Sequence, residues 1–416
     1  MTVGETFDVR ESARRLERDI EKLSQFSSPG PGVTRLSFTL EYRSALDYLE
    51  EQFESIGFEV YYDPVGNFVA SNVPAGERCV ALGSHVDSVP NGGRFDGTAG
   101  VLCALEVARL IPDAPLKVFS FVEEEGSRFG SGILGSRCAV GSVSREDLRA
   151  YTDPDGISFH EAAIEAGYEP DLVADCPVNL NGVERYVEVH IEQGRVLEES
   201  GEEIGVVEAI AGLVHGGIEV EGRADHAGAT PMDLRSDSGL TAAEVMVELE
   251  QLVRKGRETA VGTVGRVELD PGALNVIPGH ALVGLDVRDI DEARVDEILD
   301  GIVAFARRRA GQRGQRITYQ EHLRTAPVDM AREVVAGLEN YCELVGISCR
   351  RMVSGAGHDA MMIARRVPAG MLFVPSREGI SHSPEEFTEP RHLAQAVAVL
   401  LGAVGGGVAA EDRSCR

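Results

Sequence analysis

The stretch from Gly83 to Gly100, GSHVDSVPNGGRFDGTAG, places a histidine and two aspartates in a glycine-rich loop. The apolar run Cys79–Leu82 precedes it and a segment of helical spacing follows, which predicts a strand, a loop and a helix. Ligands and catalytic groups lie beyond the carboxyl ends of strands in open α/β sheets. His85 and Asp96 are therefore candidate metal ligands, with Asp87 placed to accept a hydrogen bond from the other ring nitrogen of His85. On this stretch alone, an ordinary polar loop with a surface histidine is the alternative.

Three consecutive glutamates, Glu123 to Glu125, follow the apolar run Leu116–Val122. Neighbouring carboxylates at a strand end can divide the chemistry, because one binds a metal while the other acts as a general base towards water. A run of glutamates is more often a solvated acidic surface. Its place between a buried strand and Gly126 favours the carboxyl edge of a sheet instead, so the triplet joins the candidates.

Three further histidines follow predicted strands or open a predicted helix. His190 ends an apolar strand and begins the stretch His190–Gly194, although a lone histidine at a strand end is more often structural. His382 lies in a loop after the strand Met371–Val374, which taken alone is an ordinary turn. His358 opens a helix from a glycine-flexed loop whose backbone N–H groups can meet an anionic or carbonyl oxygen; its alternative is a histidine with no catalytic task.

The histidines and carboxylates at the strand ends form one chemically consistent set. Nitrogen and oxygen donors suit borderline or hard divalent ions such as zinc, manganese or cobalt. An aspartate that bridges two ions about 3.5–4 Å apart is the usual arrangement of two-metal hydrolytic sites. The residues therefore predict a metal-dependent hydrolytic centre.

A second group of polar residues lies further along the chain, in Gly222–Met232, at Asn275 and at Arg288. The guanidinium of Arg288 presents a fork that suits a substrate carboxylate. The alternative is that Arg288 pairs with Asp286 or Asp289 on an exposed strand face.

The elements that must position these residues form two domains, because 416 residues exceed the size at which a single core stops growing. Strands and helices alternate at both ends of the chain, whereas the segment between reads strand–helix–strand–strand–helix–strand, which suits a compact α+β insert. We expect a catalytic α/β domain over 1–211 and 328–404, an inserted lid domain over 212–327 and a disordered tail over 405–416.

The net charge of −28 makes nucleic acids and anionic membranes poor partners. Lysine is rare, and arginine carries nearly all of the positive charge. An acidic, lysine-poor surface is expected in a high-salt habitat, but a GC-rich genome gives the same composition. A comparison of activity in dilute and molar salt separates the two.

The seven cysteines are scattered, odd in number and without a Cys-x-x-Cys pair, which predicts reduced thiols and no cysteine metal ligands. No apolar run approaches the roughly 18 residues that a membrane span needs. The first 18 residues lack the apolar core of a signal peptide, so we expect a cytoplasmic protein.

These motifs, taken in order across nearly the whole chain, resemble the di-zinc peptidase and amidase superfamily that contains aminoacylase. The branch most similar contains the N-carbamoyl-L-amino-acid hydrolases, allantoate amidohydrolases and β-ureidopropionases. His190 carries this distinction, since in that branch a histidine of the His-x-Glu-Gln-Gly motif replaces a carboxylate ligand of the peptidases. The resemblance implies a mixed-sheet di-metal hydrolase domain with helices on both faces, and an α+β lid that also forms a homodimer.

The resemblance also implies a role for each metal-site residue. One ion would be held by His85, Asp96 and His190, and the other by Asp96, Glu125 and His382. Zinc is the expected metal, with manganese, cobalt or nickel as alternatives. Asp87 would orient His85. Glu124 would be the general base that deprotonates the bridging water and then protonates the leaving nitrogen; spacing to Gly126 favours it over its neighbours.

For the substrate, the resemblance implies contacts from both domains. His226 would reach the active site of a partner subunit and stabilise the oxyanion, and Asn275 and Arg288 would bind the substrate carboxylate. Gln193 would bind the ureido group, beside the loop residues Gly355, Ala356 and Gly357. The expected reaction is hydrolysis of the ureido C–N bond of an N-carbamoyl-L-amino acid to the amino acid, CO2 and ammonia. Allantoate hydrolysis to ureidoglycine and β-ureidopropionase activity are alternatives, while His190 argues against an aminoacylase or dipeptidase.

Overall fold

The computed structural model describes residues 7–255 and 259–405. Most of the tail predicted at 405–416 lies outside these residues, and Gly405 itself is the last residue of a helix rather than disordered chain. The strands are β1 Glu59–Tyr62, β2 Phe68–Ser71, β3 Cys79–His85, β4 Leu116–Phe121, β5 Val183–Ile191, β6 Ile204–Ile210, β7 Gly212–Glu221, β8 Asp225–His226, β9 Val261–Asp270, β10 Val276–Ile277, β11 His280–Asp289, β12 Arg316–Thr325, β13 Val328–Asp329, β14 Cys349–Ser354 and β15 Ala369–Val374.

The helices are α1 Val9–Ser24, α2 Leu40–Ser55, α3 Thr98–Leu110, α4 Leu134–Ala139, α5 Arg145–Ala150, α6 Phe159–Glu165, α7 Val196–Ser200, α8 Ser238–Arg254, α9 Glu292–Gln312, α10 Arg332–Val345, α11 Asp359–Ile363 and α12 Pro390–Gly405. Within the described ranges, none of them combines the length and the apolar character that crossing a bilayer requires. The sequence pattern predicts a helix over 238–257, and the last two residues of this range lie outside the described residues.

The described residues group into two compact units. Within the described residues, the first comprises 7–208, Met330–Met352 and 357–405, and the second comprises 209–255, 259–329 and Val353–Ala356. The insert predicted at 212–327 falls within the second unit.

The large sheet has the order β1-β2-β4-β3-β5-β15-β6-β13, and β14 also pairs with β6. It is mixed: β4, β3, β5 and β15 run parallel at its centre, whereas β1, β2 and β6 pair antiparallel. The central strands β3, β4 and β15 are mostly apolar and are buried along their whole length, as strands covered by helices on both faces must be. The predicted mixed α/β fold with helices on both faces is confirmed.

The parallel strands matter for the site because their carboxyl ends meet at one edge of the sheet. β3 ends at His85, β4 runs into the glutamate triplet, and β5 carries His190 as its penultimate residue. On β15, Phe373 is the register partner of His190, so the loop that follows β15 leaves from the same edge. The topology thus collects residues that are up to about three hundred positions apart in the sequence.

The sequence over 130–185 is mixed and predicts a single helix near 159–166, which α6 matches. The structure adds α4, α5 and a 3₁₀ segment, Pro170–Leu180. α4 and α5 have six residues each and complete fewer than two turns, so their apolar residues are too few to define a period of 3.6.

The second unit contains a four-stranded antiparallel sheet in the order β12-β7-β11-β9, with α8 and α9 packed on one face. Burial alternates along β11, so Val283, Leu285 and Val287 face the helices while Asp286 and Arg288 lie on the opposite face.

An ion-pair cluster joins the two helices of this unit and gives a stability prediction. Glu244 accepts hydrogen bonds from Arg309 and Arg313, and these contacts lower its pKa to about 2. Because the folded pKa lies below the ordinary value of 4.5, this stabilisation is present above pH 4.5 and is lost as the pH falls towards 2. We therefore expect Glu244→Gln to lower the midpoint of thermal unfolding at pH 7. The difference from wild type should shrink between about pH 4.5 and 2 in calorimetry; a difference that is constant with pH would contradict the assignment.

Candidate metal centre

Asp96 lies at the centre of the carboxyl edge and faces two groups of side chains with its two oxygens. Its Oδ1 is 3.1 Å from His190 Nε2 and 3.5 Å from His85 Nε2. Its Oδ2 is 3.4 Å from His382 Nε2, and that nitrogen is 3.4 Å from Glu125 Oε2. The ligand atoms within each group, His85–Asp96–His190 and Asp96–Glu125–His382, all lie within 4.8 Å of one another. One carboxylate is therefore shared by two sets of potential metal ligands.

The backbone fixes which ring nitrogen of the two buried histidines faces Asp96. His85 Nδ1 lies 3.1 Å from the carbonyl oxygen of Asp87, and His190 Nδ1 lies 2.9 Å from that of Ile191. A carbonyl oxygen only accepts, so each Nδ1 carries the proton and each Nε2 presents a lone pair. This is the orientation that a metal-binding histidine needs.

Gly97 is required by this arrangement. Its φ is +59°, in the left-handed region, and a Cβ on it would lie 2.3 Å from the ring of His85. Any side chain here would push His85 away from Asp96, so the glycine preserves the first ligand group.

Asp87 lies behind the centre, but its carboxylate does more than face His85. Its Oδ1 is 3.7 Å from His85 Nδ1, which is longer than a hydrogen bond. The same carboxylate accepts from the backbone N–H of Glu124 at 3.2 Å and of Glu125 at 3.1 Å. The sequence prediction that Asp87 orients His85 is therefore incomplete: its backbone carbonyl contacts the ring, and its side chain holds the glutamate pair.

The three glutamates have different surroundings. Glu124 Oε2 lies 3.6 Å from His85 Nε2, and Glu125 belongs to the second ligand group. Glu123 instead accepts from the backbone N–H of Arg128 at 3.0 Å and of Phe129 at 2.8 Å. Its backbone has a φ of +57°, in the left-handed region that non-glycine residues adopt mainly in turns. Glu123 is thus a structural residue of the turn that follows β4.

Burial and mutual repulsion perturb the acidic groups strongly. Burial raises the pKa of Glu124 well above its usual value and that of Glu125 to about 7. Burial would also raise the pKa of Asp96, but the imidazoles of His190, His382 and His85 hold it well below its usual range. A hydrogen bond to Asp96 raises the pKa of His382 to about 9. A site with this many coupled carboxylates has the electrostatic character of a functional centre.

The donors fit divalent cations. Among the described residues, His85 of the first ligand group and Glu125 of the second each have a buried atom without a hydrogen-bond partner, Nε2 and Oε1 respectively. Unpaired buried polar atoms are costly, and a cation in each group would offset this cost and favour the ionised carboxylates. Imidazole nitrogens with carboxylate oxygens suit zinc, manganese, cobalt or nickel.

His358 and Gln193 lie beside the ligand groups. The ring of His358 packs against His190 with 4.4 Å between ring centroids, and burial lowers the pKa of His358 well below its usual value. Gln193 Nε2 donates to Asp96 Oδ2 at 2.7 Å, and its φ is +60°. Gly357, at the end of the loop predicted to bind substrate, also belongs to the first unit.

The remaining candidates belong to the second unit. His226 is exposed and its Nδ1 accepts from the backbone N–H of Gly228 at 3.1 Å and of Ala229 at 3.2 Å. Its neutral form therefore carries the proton on Nε2, which makes it a hydrogen-bond donor. Asn275 is exposed next to β10, and its backbone carbonyl oxygen accepts a hydrogen bond from the backbone N–H of Ala227 at 2.9 Å.

Arg288 pairs with Asp286, the first of the two partners that the sequence left open. Its Nε and Nη2 donate to the Asp286 carboxylate at 2.8 and 2.7 Å, and its Nη1 donates to the carbonyl oxygen of Gly355 at 2.8 Å. Asp289 is buried on the core-facing side of β11 and is not a partner. A guanidinium has five N–H groups, so within the described residues one remains on each terminal nitrogen.

The sequence prediction missed Glu386 and Ser381 as parts of the centre. Ser381 Oγ lies 2.9 Å from Asp96 Oδ2, and Glu386 accepts from the backbone N–H of Asp96 at 3.1 Å. Both occur in the loop that carries His382. The sequence signal was a pair of glutamates three and four residues after a histidine, and spacing does not tell which glutamate is buried.

The carboxyl edge of this mixed sheet holds two sets of nitrogen and oxygen ligands around a shared aspartate, and a further carboxylate lies alongside. This arrangement defines a metal-dependent hydrolase. Residues 81–405 match the model of the family described as Peptidase family M20/M25/M40. Because the match covers most of the chain, the protein belongs to this family, as the motifs indicated.

Similar proteins narrow the class further. The chain is 38% identical over 397 residues to the N-carbamoyl-L-amino-acid amidohydrolase of Paenarthrobacter aurescens, covering 94% of this chain and 96% of that one. It is 36% identical to the allantoate amidohydrolase of Bacillus subtilis, covering 90% and 92% of the two chains. The crystal structure of an amidase of the hydantoinase/carbamoylase family from Burkholderia multivorans superposes with a TM-score of 0.89 at 31% identity, covering 94% and 97%. The protein is a hydrolase of carbon–nitrogen bonds in linear amides.

Proposed function

We propose that this protein hydrolyses the ureido C–N bond of an N-carbamoyl-L-amino acid, with water, to the amino acid, CO2 and ammonia. The observation that carries the proposal is the sharing of Asp96 between two ligand groups, with Glu124 next to them. The relative named N-carbamoyl-L-amino-acid amidohydrolase supports the choice of substrate. Allantoate is the second candidate because an allantoate amidohydrolase is also similar over nearly its whole length.

The proposal assigns one ion to His85, Asp96 and His190, and another to Asp96, Glu125 and His382. Divalent ions bound there would polarise the ureido carbonyl and lower the pKa of water towards about 7. The Asp87 carboxylate holds the backbone of Glu124 and Glu125 in place, because it accepts hydrogen bonds from both N–H groups. Zinc is the first choice, with manganese, cobalt and nickel as alternatives.

Glu124 is the proposed general base. It would take a proton from the attacking water as the oxygen bonds to the ureido carbon, and give it to the departing nitrogen as the C–N bond breaks. A base works best when its pKa lies near the working pH, and burial moves the pKa of Glu124 in that direction from its ordinary value. The same carboxyl can then act as the acid.

We also propose residues of both units as contacts for the substrate. The Nε2 proton of His226 would stabilise the oxyanion, and Asn275 with the remaining N–H groups of Arg288 would bind the substrate carboxylate. Gln193 would bind the ureido group, which requires it to exchange its hydrogen bond to Asp96 for one to substrate. The loop Gly355–Gly357 would line the same pocket.

We propose that the chain forms a homodimer through the inserted segment 212–327, in which His226 reaches the active site of the partner subunit. We also propose that the protein is cytoplasmic. Sedimentation of the purified chain tests the dimer.

The function is tested by ammonia release from the zinc- or manganese-loaded protein. The panel comprises N-carbamoyl-L-amino acids, N-carbamoyl-β-alanine, allantoate and one N-acetyl amino acid. We expect turnover of at least one N-carbamoyl-L-amino acid, lost on chelation and restored by the metal. Turnover of allantoate alone would replace the first candidate by the second, and hydrolysis of only the N-acetyl substrate would overturn both.

A further inference from the structure

Glu386 is a buried carboxylate to which the proposed chemistry gives no task. It lies four residues after His382 and its residue surface is 2% exposed. Its Oε1 accepts from the backbone N–H of Phe95 at 2.8 Å and of Asp96 at 3.1 Å. Its Oε2 lies 3.2 Å from the hydroxyl of Ser381. Burial of an acidic group is costly unless the group is hydrogen-bonded, and the Glu386 carboxylate accepts hydrogen bonds from the loop that carries Asp96.

These contacts join two loops that are remote in sequence. One loop carries Asp96 and the other carries His382, and Glu386 belongs to the second while binding the backbone of the first. Ser381 extends the connection, because its hydroxyl lies 2.9 Å from Asp96 Oδ2. Asp96 is thus held at its backbone by Glu386 and at its side chain by Ser381.

The chain makes room for this carboxylate. A Cβ on Gly93 would lie 2.0 Å from both Cδ and Oε1 of Glu386, so only glycine permits the contact. The loops also pack through Phe95 and Phe387, whose ring centroids are 5.6 Å apart in an edge-to-face arrangement. This ring contact does not use the Glu386 carboxylate and should help to keep the two loops together without it.

We propose that Glu386 is a positioning residue that sets the metal affinity of the centre by fixing Asp96 relative to His382. The proposal rests on the metal ligands assigned under the proposed function. Because Asp96 is common to both ligand groups, an error in its position affects both ions together. Residues that hold a metal ligand in place commonly contribute about 10- to 100-fold to metal affinity.

The test is zinc affinity, measured on the chelated full-length protein by competition with a chromophoric chelator. We expect Glu386→Ala to weaken zinc binding by about 10- to 100-fold. Glu386→Gln should stay close to wild type, because its amide oxygen still accepts from both N–H groups and its amide nitrogen can donate to the Ser381 oxygen. Glu385→Ala is the matched control, since Glu385 is exposed and, within the part of the chain that the structure describes, its carboxylate accepts a hydrogen bond from Ser383 alone.

A second variant covers the case in which Glu386→Ala does not fold. Gly93→Ala places a methyl group against the Glu386 carboxylate and should weaken zinc binding in the same way. The inference alone is overturned if wild type binds zinc and both Glu386→Ala and Gly93→Ala bind it equally well, or if Glu386→Gln loses as much as Glu386→Ala. Lower thermal midpoints with unchanged zinc affinity would also overturn it. If wild-type protein binds no zinc, manganese, cobalt or nickel, the proposed metal centre fails and the inference with it.

Discussion

Glu124→Gln is expected to abolish most of the turnover and to leave the metal content and the fold intact. Glutamine has the same shape as glutamate but cannot take a proton from water or return it to nitrogen. General acid–base groups contribute about 10²- to 10⁴-fold to rates, so kcat should fall by that factor with little change in KM. The measurement is steady-state ammonia release, together with metal analysis of the same sample.

The fold should survive this substitution because the carboxyl group is unfavourable where it lies. Burial raises the pKa of Glu124 first, and Asp359, Glu125 and Asp87 raise it further by repulsion. An acid with a raised folded pKa destabilises the protein at neutral pH, since ionisation is easier in the unfolded chain. Removing the ionisable group should therefore raise the thermal midpoint of the chelated protein, which separates lost chemistry from lost structure.

The neighbouring residue provides the matched control. Glu123 accepts hydrogen bonds from backbone N–H groups through Oε1, and glutamine retains an oxygen that accepts them. We expect Glu123→Gln to keep activity within a few fold of wild type. If Glu123→Gln is inactive and Glu124→Gln is active, the two residues have been assigned in the wrong order.

The central sheet could be predicted because β3, β4 and β15 are mostly apolar, and each is buried along its whole length. A strand buried on both faces needs such a segment, and few other short segments have this character. The pattern does not predict β6, in which the exposed Glu208 interrupts the buried residues. The short helices α4 and α5 escape prediction because tertiary packing, rather than periodicity, stabilises them.

The candidate site, like the sheet, could be predicted from the sequence only in part. His85, His190 and the glutamates stand at the ends of predictable strands, and Asp96 lies in the loop that follows the first of these strands, so the sequence predicts that they meet at one edge. The support of Asp96 by Glu386 could not be predicted, because the two residues are 290 positions apart and meet through a backbone N–H group. Periodicity and motif spacing predict how side chains are arranged along one element. They do not predict which loop backbone will bind a carboxylate from a remote part of the chain.

Asp96→Ala is expected to have the largest effect on metal binding, because Asp96 is the one ligand that both groups contain. Removing it leaves each group with two ligands, and metal analysis should show that both ions are lost. Loss of metal polarisation costs several kcal/mol of transition-state stabilisation, and about 4 kcal/mol corresponds to about 10³-fold in rate. Turnover should therefore fall by at least about 10³-fold.

Single-group variants show whether Asp96 is shared or belongs to one group. His190→Ala removes a ligand from the first group only, and His382→Ala removes one from the second group only. Each should lower the affinity for one ion and largely spare the other. Asp96→Asn should retain one ion at most, because its single carbonyl oxygen can serve one group and its amide nitrogen cannot act as a ligand. If Asp96→Ala retains one tightly bound ion, Asp96 is a ligand of one group only and the shared-carboxylate arrangement is wrong.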